Sequence, residues 1–397
     1  MRVNSTLSFF VLCALPICAF AAQPQPAAVP QPAPQPAKAP APDLAAATTR
    51  GIEILLSLQE GENKAEWPYE GVYRVGGKIP VGYRIGSTAI VVEALVRAPG
   101  YATDKARVEA VGRAVKFICE ARNEPTMSEV DYDGGYDVRG WGYIYGLKTL
   151  SILKQMKLIP EGQEEAVKGA TAFYLDALQK IEIPEAGGWN YARPPGRKTV
   201  APTSPFMTPS GLEALYEAKA AGEPVDAGVV QRALDGLEKC RGPAGAMQYS
   251  GPVKRGDGEP VPGAVGRMCA SESALLLAGR SSPERVRGAV DAFIVHWKFL
   301  NERRAKTGTH LPPYQIAPYY FMYAHHFVAQ AIELLPRAER AEYRRRVNEL
   351  LFSVREEDGS WNDRVFKRSS AYGTAMAMLA VGMPEATPPA RWEGEKK

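Results

Sequence analysis

From residue 44 to residue 383 the chain repeats one unit six times, and that repetition limits its fold more than any other feature. Each copy has a helical run, a glycine-bearing loop with an aromatic or large apolar residue, then a second helical run. In the first copy Ile52, Leu55 and Leu56 fall at i, i+3 and i+4, the loop carries Trp67, and the second run spans Gly86–Arg97. The last copy repeats this with Val347, Leu350, Leu351 and Val354, then Gly359-Ser360-Trp361, then Tyr372, Ala375, Met376 and Leu379 on one face. Between them lie Val115–Ile118 with Gly134-Gly135-Tyr136, Ala172–Leu175 with Gly187-Gly188-Trp189, Ala233–Leu237 with Gly245-Ala246-Met247, and Ala292–Ile294 with Gly308-Thr309-His310. The second runs of these copies are expected over Trp141–Leu153, Thr208–Ala218, Met268–Leu277 and Tyr319–Leu334, with Thr208 as an N-cap and Pro209 as the first helical residue. The loop positions, 67, 136, 189, 247, about 310 and 361, stand 51 to 69 residues apart. A two-helix hairpin cannot bury its apolar faces alone, so neighbours must stack and share a core. Six hairpins is the count that closes a ring of paired helices. No alternating run is long enough for a substantial sheet, so the class is all-α. Trp67, Trp189 and Trp361 read as structural staples between hairpins.

The ends differ in kind from this repeat. Arg2, the apolar stretch Leu7–Leu15 with Ile17, and Ala19-Phe20-Ala21 read as a secretory signal peptide over residues 1–21. Residues 22–43 are nearly all Ala, Pro and Gln and form an extended spacer, while 384–397 form a C-terminal tail. The expected location is therefore exported, periplasmic or secreted, with no transmembrane helix in the mature chain. Cleavage would leave Cys119, Cys240 and Cys269, an odd number within helical patterns, which argues for buried apolar thiols over a disulfide framework. The charge balance, 48 Lys+Arg against 44 Asp+Glu, gives no case for nucleic acid. The basic run Arg337–Arg346, interleaved with Glu339 and Glu342, reads as a solvated helix face.

Leu55…Gln59…Trp67, Gly187-Gly188-Trp189-Asn190 and Asp358-Gly359-Ser360-Trp361-Asn362 resemble the repeat of the terpenoid cyclases and protein prenyltransferase β subunits. With Tyr319-Tyr320-Phe321-Met322-Tyr323-Ala324, the chain looks like the exported bacterial prenyltransferase/squalene oxidase repeat proteins. The resemblance implies an (α/α)6 toroid with a central cavity. It implies less about chemistry. The cyclases protonate their substrate from a D-x-D-D motif; the nearest stretch here, Asp131-Tyr132-Asp133-Gly134-Gly135, lacks the paired final carboxylate. The prenyltransferases hold zinc with Asp-x-Cys and a His. Here Cys269 and His325 with His326 fall in comparable copies, but Arg267 stands where the Asp is expected. A cation there opposes Zn²⁺ and leaves Glu272 as the third candidate ligand. No cofactor is therefore expected, and zinc only if Cys269, Glu272 and His325 meet. No G-x-S-x-G elbow, phosphate-binding glycine loop or H-E-x-x-H occurs.

By this resemblance the second helix of each pair lines the ring, and the starts of those helices form one mouth. That mouth collects Asp131, Asp133, Trp141, Tyr143, Cys269, Glu272, Tyr319, Tyr323, His325 and His326 as candidate ligand-binding residues, with Tyr83, Tyr136, Tyr191 and Tyr372 beside them. The expectation is an exported toroid that binds an envelope ligand (peptide, glycan or lipid-like) in its cavity or mouth, without cyclase or zinc prenyltransferase chemistry. Two alternatives stand beside it: a diverged cyclase or transferase using Cys269 and His325, and a carbohydrate-active enzyme with carboxylates facing across the mouth.

Overall fold

A computed structural model of the protein describes residues 41–130, 132, 136–191, 201–253 and 258–393. Among these there are twelve α-helices in six hairpins and no strand: α1 (Leu44–Ser57) with α2 (Val81–Arg97), α3 (Lys105–Ala121) with α4 (Arg139–Met156), α5 (Glu164–Lys180) with α6 (Thr208–Ala220), α7 (Ala227–Lys239) with α8 (Val261–Leu277), α9 (Pro283–Arg303) with α10 (Tyr320–Glu333), and α11 (Arg337–Phe352) with α12 (Ser369–Gly382). The even-numbered helices pack one on the next, and α12 packs back on α2, so they close an inner ring. Each odd-numbered helix packs outside the inner helix that precedes it around the ring: α3 on α2, α5 on α4, α7 on α6, α9 on α8, α11 on α10 and α1 on α12. No helix is long and apolar enough to cross a membrane among the described residues.

Inner and outer helices differ in sequence because they differ in surroundings. Outer α7 buries Val229, Val230, Ala233, Leu234 and Leu237 on a single stripe and leaves Gln231, Arg232 and Lys239 on the exposed side. Inner α2 buries every residue from Ile85 to Val96. Outer helices also tend to carry their own caps: Asp43, Asp104, Asp226 and Ser282 each accept a first-turn N–H with the side chain. None of the six inner helices has such a side-chain cap. Thr208 illustrates the difference. It does not cap α6, because its hydroxyl bonds the backbone N–H (3.1 Å) and carbonyl (3.2 Å) of Trp189.

That bond belongs to a device used three times. Trp67, Trp189 and Trp361 are buried, each indole N–H donating to a carbonyl of the preceding outer helix: Leu55 (2.7 Å), Leu178 (2.8 Å) and Leu351 (2.9 Å). Each backbone N–H donates to a threonine of the following inner helix, Thr88, Thr208 or Thr374. The tryptophan thus satisfies a helix-end carbonyl and fixes both helices of its hairpin. Gly187 and Gly188, at φ 79° and 77°, make the turn before Trp189, and a Cβ on Gly187 would strike the Arg232 carbonyl oxygen. The turn's backbone pairing recurs at Gly242–Ala246 and Leu311–Ile316, which gives the staple position to Met247, as expected, and to Ala317 instead of a residue near His310. Buried Met127, not Tyr136, fills the corresponding gap behind α4.

The three cysteines are free and buried. On the basic face of α11, Arg345 bonds Glu342 and Glu349, and Arg340 and Arg344 bond Glu333. Residues 384–393 lie against the toroid, where Trp392 packs on Tyr216 with centroids 5.9 Å apart and donates its backbone N–H to Leu277.

Candidate functional site

The starts of the inner helices meet at one end of the ring, because glycines let them approach. Gly82 of α2 lies so close to α4 that a Cβ would strike the Val138 carbonyl, and Gly86 faces the Trp141 carbonyl. Between these starts is a small chamber of about 60 Å³ lined by Tyr69, Tyr83, Ser87, Ile90, Tyr136, Trp141, Tyr145, Tyr191, Phe206, Tyr319, Tyr323 and Tyr372, with Gly82 and Gly86. The rings interlock: Trp141 stacks on Tyr145 (5.9 Å between centroids, 14° between planes), and Phe206 packs against Trp141, Tyr319 and Tyr323.

The hydroxyls form two hydrogen-bonded groups. Tyr83 and Tyr136 share a hydrogen bond of 3.1 Å; Tyr191 bonds Tyr249 (2.7 Å) and Tyr319 (3.1 Å). Tyr319 and Tyr320 both reach Nε2 of His310 at 3.1 Å. Burial pushes the phenols of Tyr69, Tyr136, Tyr191, Tyr319, Tyr323 and Tyr372 well above their ordinary range, so they remain donors as well as acceptors. Burial, then Arg267 and Arg303, push His310 down to about 4, leaving it neutral. Around the opening Tyr73, Tyr136, Tyr249 and Tyr319 are half-buried and present ring surface to solvent.

Behind Tyr69 is a group that sequence reasoning missed. Asp363 is fully buried, neither carboxylate oxygen has a hydrogen-bond partner, and burial pushes its pKa up to about 7 against the pull of Arg364. Nε and Nη2 of Arg364 are buried and unpartnered as well. The only sequence signal was position: both follow directly on the last Gly-x-Trp loop.

The ten expected residues divide among several places. Trp141, Tyr319 and Tyr323 meet in the chamber. Asp131 and Asp133 lie outside the described residues. Tyr143 turns away from the chamber: its hydroxyl donates to the Met127 carbonyl (2.5 Å) and its ring packs on Phe173 and Tyr174 of α5. His325 faces outer α9, where Nε2 accepts from Trp297 (3.0 Å) and Nδ1 donates to the Phe321 carbonyl (2.8 Å), so neither nitrogen is free. Burial pushes it down to about 4. Glu272 is bound to Arg241 (2.7 and 2.9 Å) and to the Ser281 hydroxyl (2.5 Å). Cys269 is buried, and burial pushes its thiol up, away from the thiolate a metal needs. Arg267, in the place of a metal-binding Asp, holds the Met247 and Gly263 carbonyls (2.8 Å each) and Glu259. No three His, Cys, Asp or Glu side chains are grouped as metal ligands among the described residues.

His326 belongs to the other end of the ring, where the inner helices finish. There Lys148 pairs with Glu213 (3.6 Å), Gln330 donates to Glu213 (2.5 Å), and Glu93 pairs with Arg97 (2.9 Å). Burial works against the Lys148 ammonium, but Glu93 and Glu213 together hold it charged. Burial and then Lys148 push His326 down to about 3. This polar layer separates the aromatic chamber from a larger cavity of about 550 Å³.

No family model and no curated protein matches the chain. Solved structures do. The unsaturated glucuronyl hydrolase of Bacillus sp. GL1 superposes with a TM-score of 0.55 at 13% identity, over 88% of this chain and 100% of that one. A D-mannose isomerase gives 0.54 at 14% identity, over 86% and 97%. The type II terpene cyclase MstE from Scytonema gives 0.49 at 14% identity, over 86% and 96%. At these identities the first two likenesses establish architecture alone: six helical hairpins closed into an α/α toroid.

Proposed function

We propose that this protein is an exported binding toroid that takes a glycan at its aromatic end. One observation carries the reading. Tyrosines converge on the starts of the inner helices, with many of their hydroxyls bonded to one another and to His310. Rings of this kind offer flat apolar faces to sugar C–H groups, while adjustable hydroxyls exchange hydrogen bonds with sugar O–H groups. The chamber, about 60 Å³, holds a few waters and no sugar. The ligand therefore lies across the half-buried rim formed by Tyr73, Tyr136, Tyr249 and Tyr319. The signal-peptide pattern at the N-terminus supports an envelope setting, where such polymers are found. Two structures with this fold are named for sugar substrates, though the likeness to them extends to the fold only.

The test is isothermal titration of soluble envelope polysaccharides into the mature chain and a Tyr136→Ala/Tyr249→Ala variant. At least one polysaccharide should bind, and the variant should lose about fivefold or more, since each stacked ring is worth about 0.5–1.5 kcal/mol. Equal binding by both proteins would refute the site.

A carbohydrate-active enzyme would need carboxylates facing one another across the mouth; among the described residues the chamber lining holds none, and Asp363 lies fully buried behind Tyr69.

A further inference from the structure

At the finishing ends of the inner helices, the start of α1 and residues 383–389 enclose the cavity of about 550 Å³. Its volume falls within the range of small-molecule sites, roughly 300–1,000 Å³. Its wall is apolar, contributed by Ile52, Ala94 and Leu379 among others. Its floor is the polar layer: Glu93, Lys148, His326 and Gln330 are all more than nine-tenths buried, and Nδ1 of His326 has no partner. Buried charged and polar side chains facing an open space of this size carry a desolvation cost that a polar ligand atom or ordered water must offset.

The charge of the lining restricts what can enter. Arg97, Lys148 and Arg344 are balanced by Glu93, Glu217 and Glu385, three cations against three anions. Arg97 is tied to Glu93 and Arg344 to Glu333. Glu217 accepts from Gln155 and from the Ala390 N–H. A charged head would therefore meet no surplus counter-charge and would lose its hydration. An uncharged head that both donates and accepts would satisfy the floor.

We propose that this cavity is a second binding site, independent of the aromatic end, for an uncharged amphiphile with one aliphatic chain. The chain would lie along Ile52, Ala94 and Leu379, with a hydroxyl-bearing head against Glu93, Lys148 and His326. The segment 383–389 covers the ligand, and Ala390 and Trp392 moor that cover to Glu217 and Tyr216.

The test is isothermal titration of the full mature chain with 1-decanoylglycerol, decanoate and decyltrimethylammonium, each below its micelle concentration. Thr48→Trp is the blocking variant, because residue 48 is half-buried on the cavity wall and an indole there fills space without disturbing the ring. A melting curve matching the parent verifies its fold. The expected result is one-to-one binding of decanoylglycerol, at least tenfold weaker binding of both charged congeners, and at least tenfold weaker decanoylglycerol binding by Thr48→Trp. Equal affinity for the charged congeners, or unchanged binding by a folded Thr48→Trp, would overturn the proposal. So would no binding of decanoylglycerol at all. Binding that emerged only after removal of residues 22–42 would assign the cavity to the chain's own linker, and would overturn it equally.

Discussion

Trp189 is completely buried, gives its indole N–H to Leu178 and its backbone N–H to Thr208, and packs against Gly211 of α6. Trp189→Ala removes all of that and leaves a cavity between two hairpins. It should destabilise the protein by about 3–5 kcal/mol in denaturant titrations, more than Trp141→Ala, whose ring already fronts the chamber. These staples were legible in the sequence because the Gly-x-Trp turn is local: glycine conformation and a nearby helix end suffice to define it. Their threonine partners were not. The Trp-to-Thr separation varies from 21 to 19 to 13 residues, so no fixed motif spans it. Asp363 was illegible for a related reason, since its isolation comes from what surrounds it and not from what adjoins it. Its pKa, raised from 3.8 to about 7, means that the folded chain keeps a proton the unfolded chain has released. Stability therefore falls as pH rises from about 4 to 7, by at most roughly 1.4 kcal/mol per pH unit. His310, His325 and His326, held low, act in the opposite direction as pH falls below 6.5. The diagnostic quantity is thus the difference between parent and Asp363→Asn. It should move in the variant's favour up to pH 7 and then level off.

Among the elements, helix geometry explains which expected residues share a site. Each residue turns a helix by about 100°, so positions two apart lie on nearly opposite faces and positions three or four apart share one. Trp141 and Tyr145 face the chamber, and Tyr143 between them faces α5. Tyr323 likewise faces inward, His325 faces α9, and His326 returns to the lumen nearer its other end. The sequence repeat marks where the inner helices lie but not their rotation, which ring closure sets. The cyclase or transferase alternative required Cys269 and His325 to act together, and His325 instead uses both nitrogens on Trp297 and Phe321. Glycine sets how closely α2 and α4 approach. Gly82→Ala would press a methyl group into the Val138 backbone, which cannot yield as a side chain can. We expect a loss of about 1–3 kcal/mol, with altered near-ultraviolet dichroism from the displaced tyrosines.

Seen whole, the molecule is a closed ring with two unlike ends, divided by a buried polar layer around Lys148. The ring itself could be read from six repeats. The division could not, because Glu93, Lys148, Glu213 and Gln330 lie on four separate inner helices and meet only once α12 has closed against α2. The proposed glycan site at the aromatic end, where the inner helices begin, can be read by hydroxyl-radical footprinting of the tyrosines, with and without a bound polysaccharide. Protection concentrated on Tyr73, Tyr136, Tyr249 and Tyr319, with Tyr343 on outer α11 unchanged, is the predicted result. Protection elsewhere, with those four tyrosines as reactive as before, would contradict it.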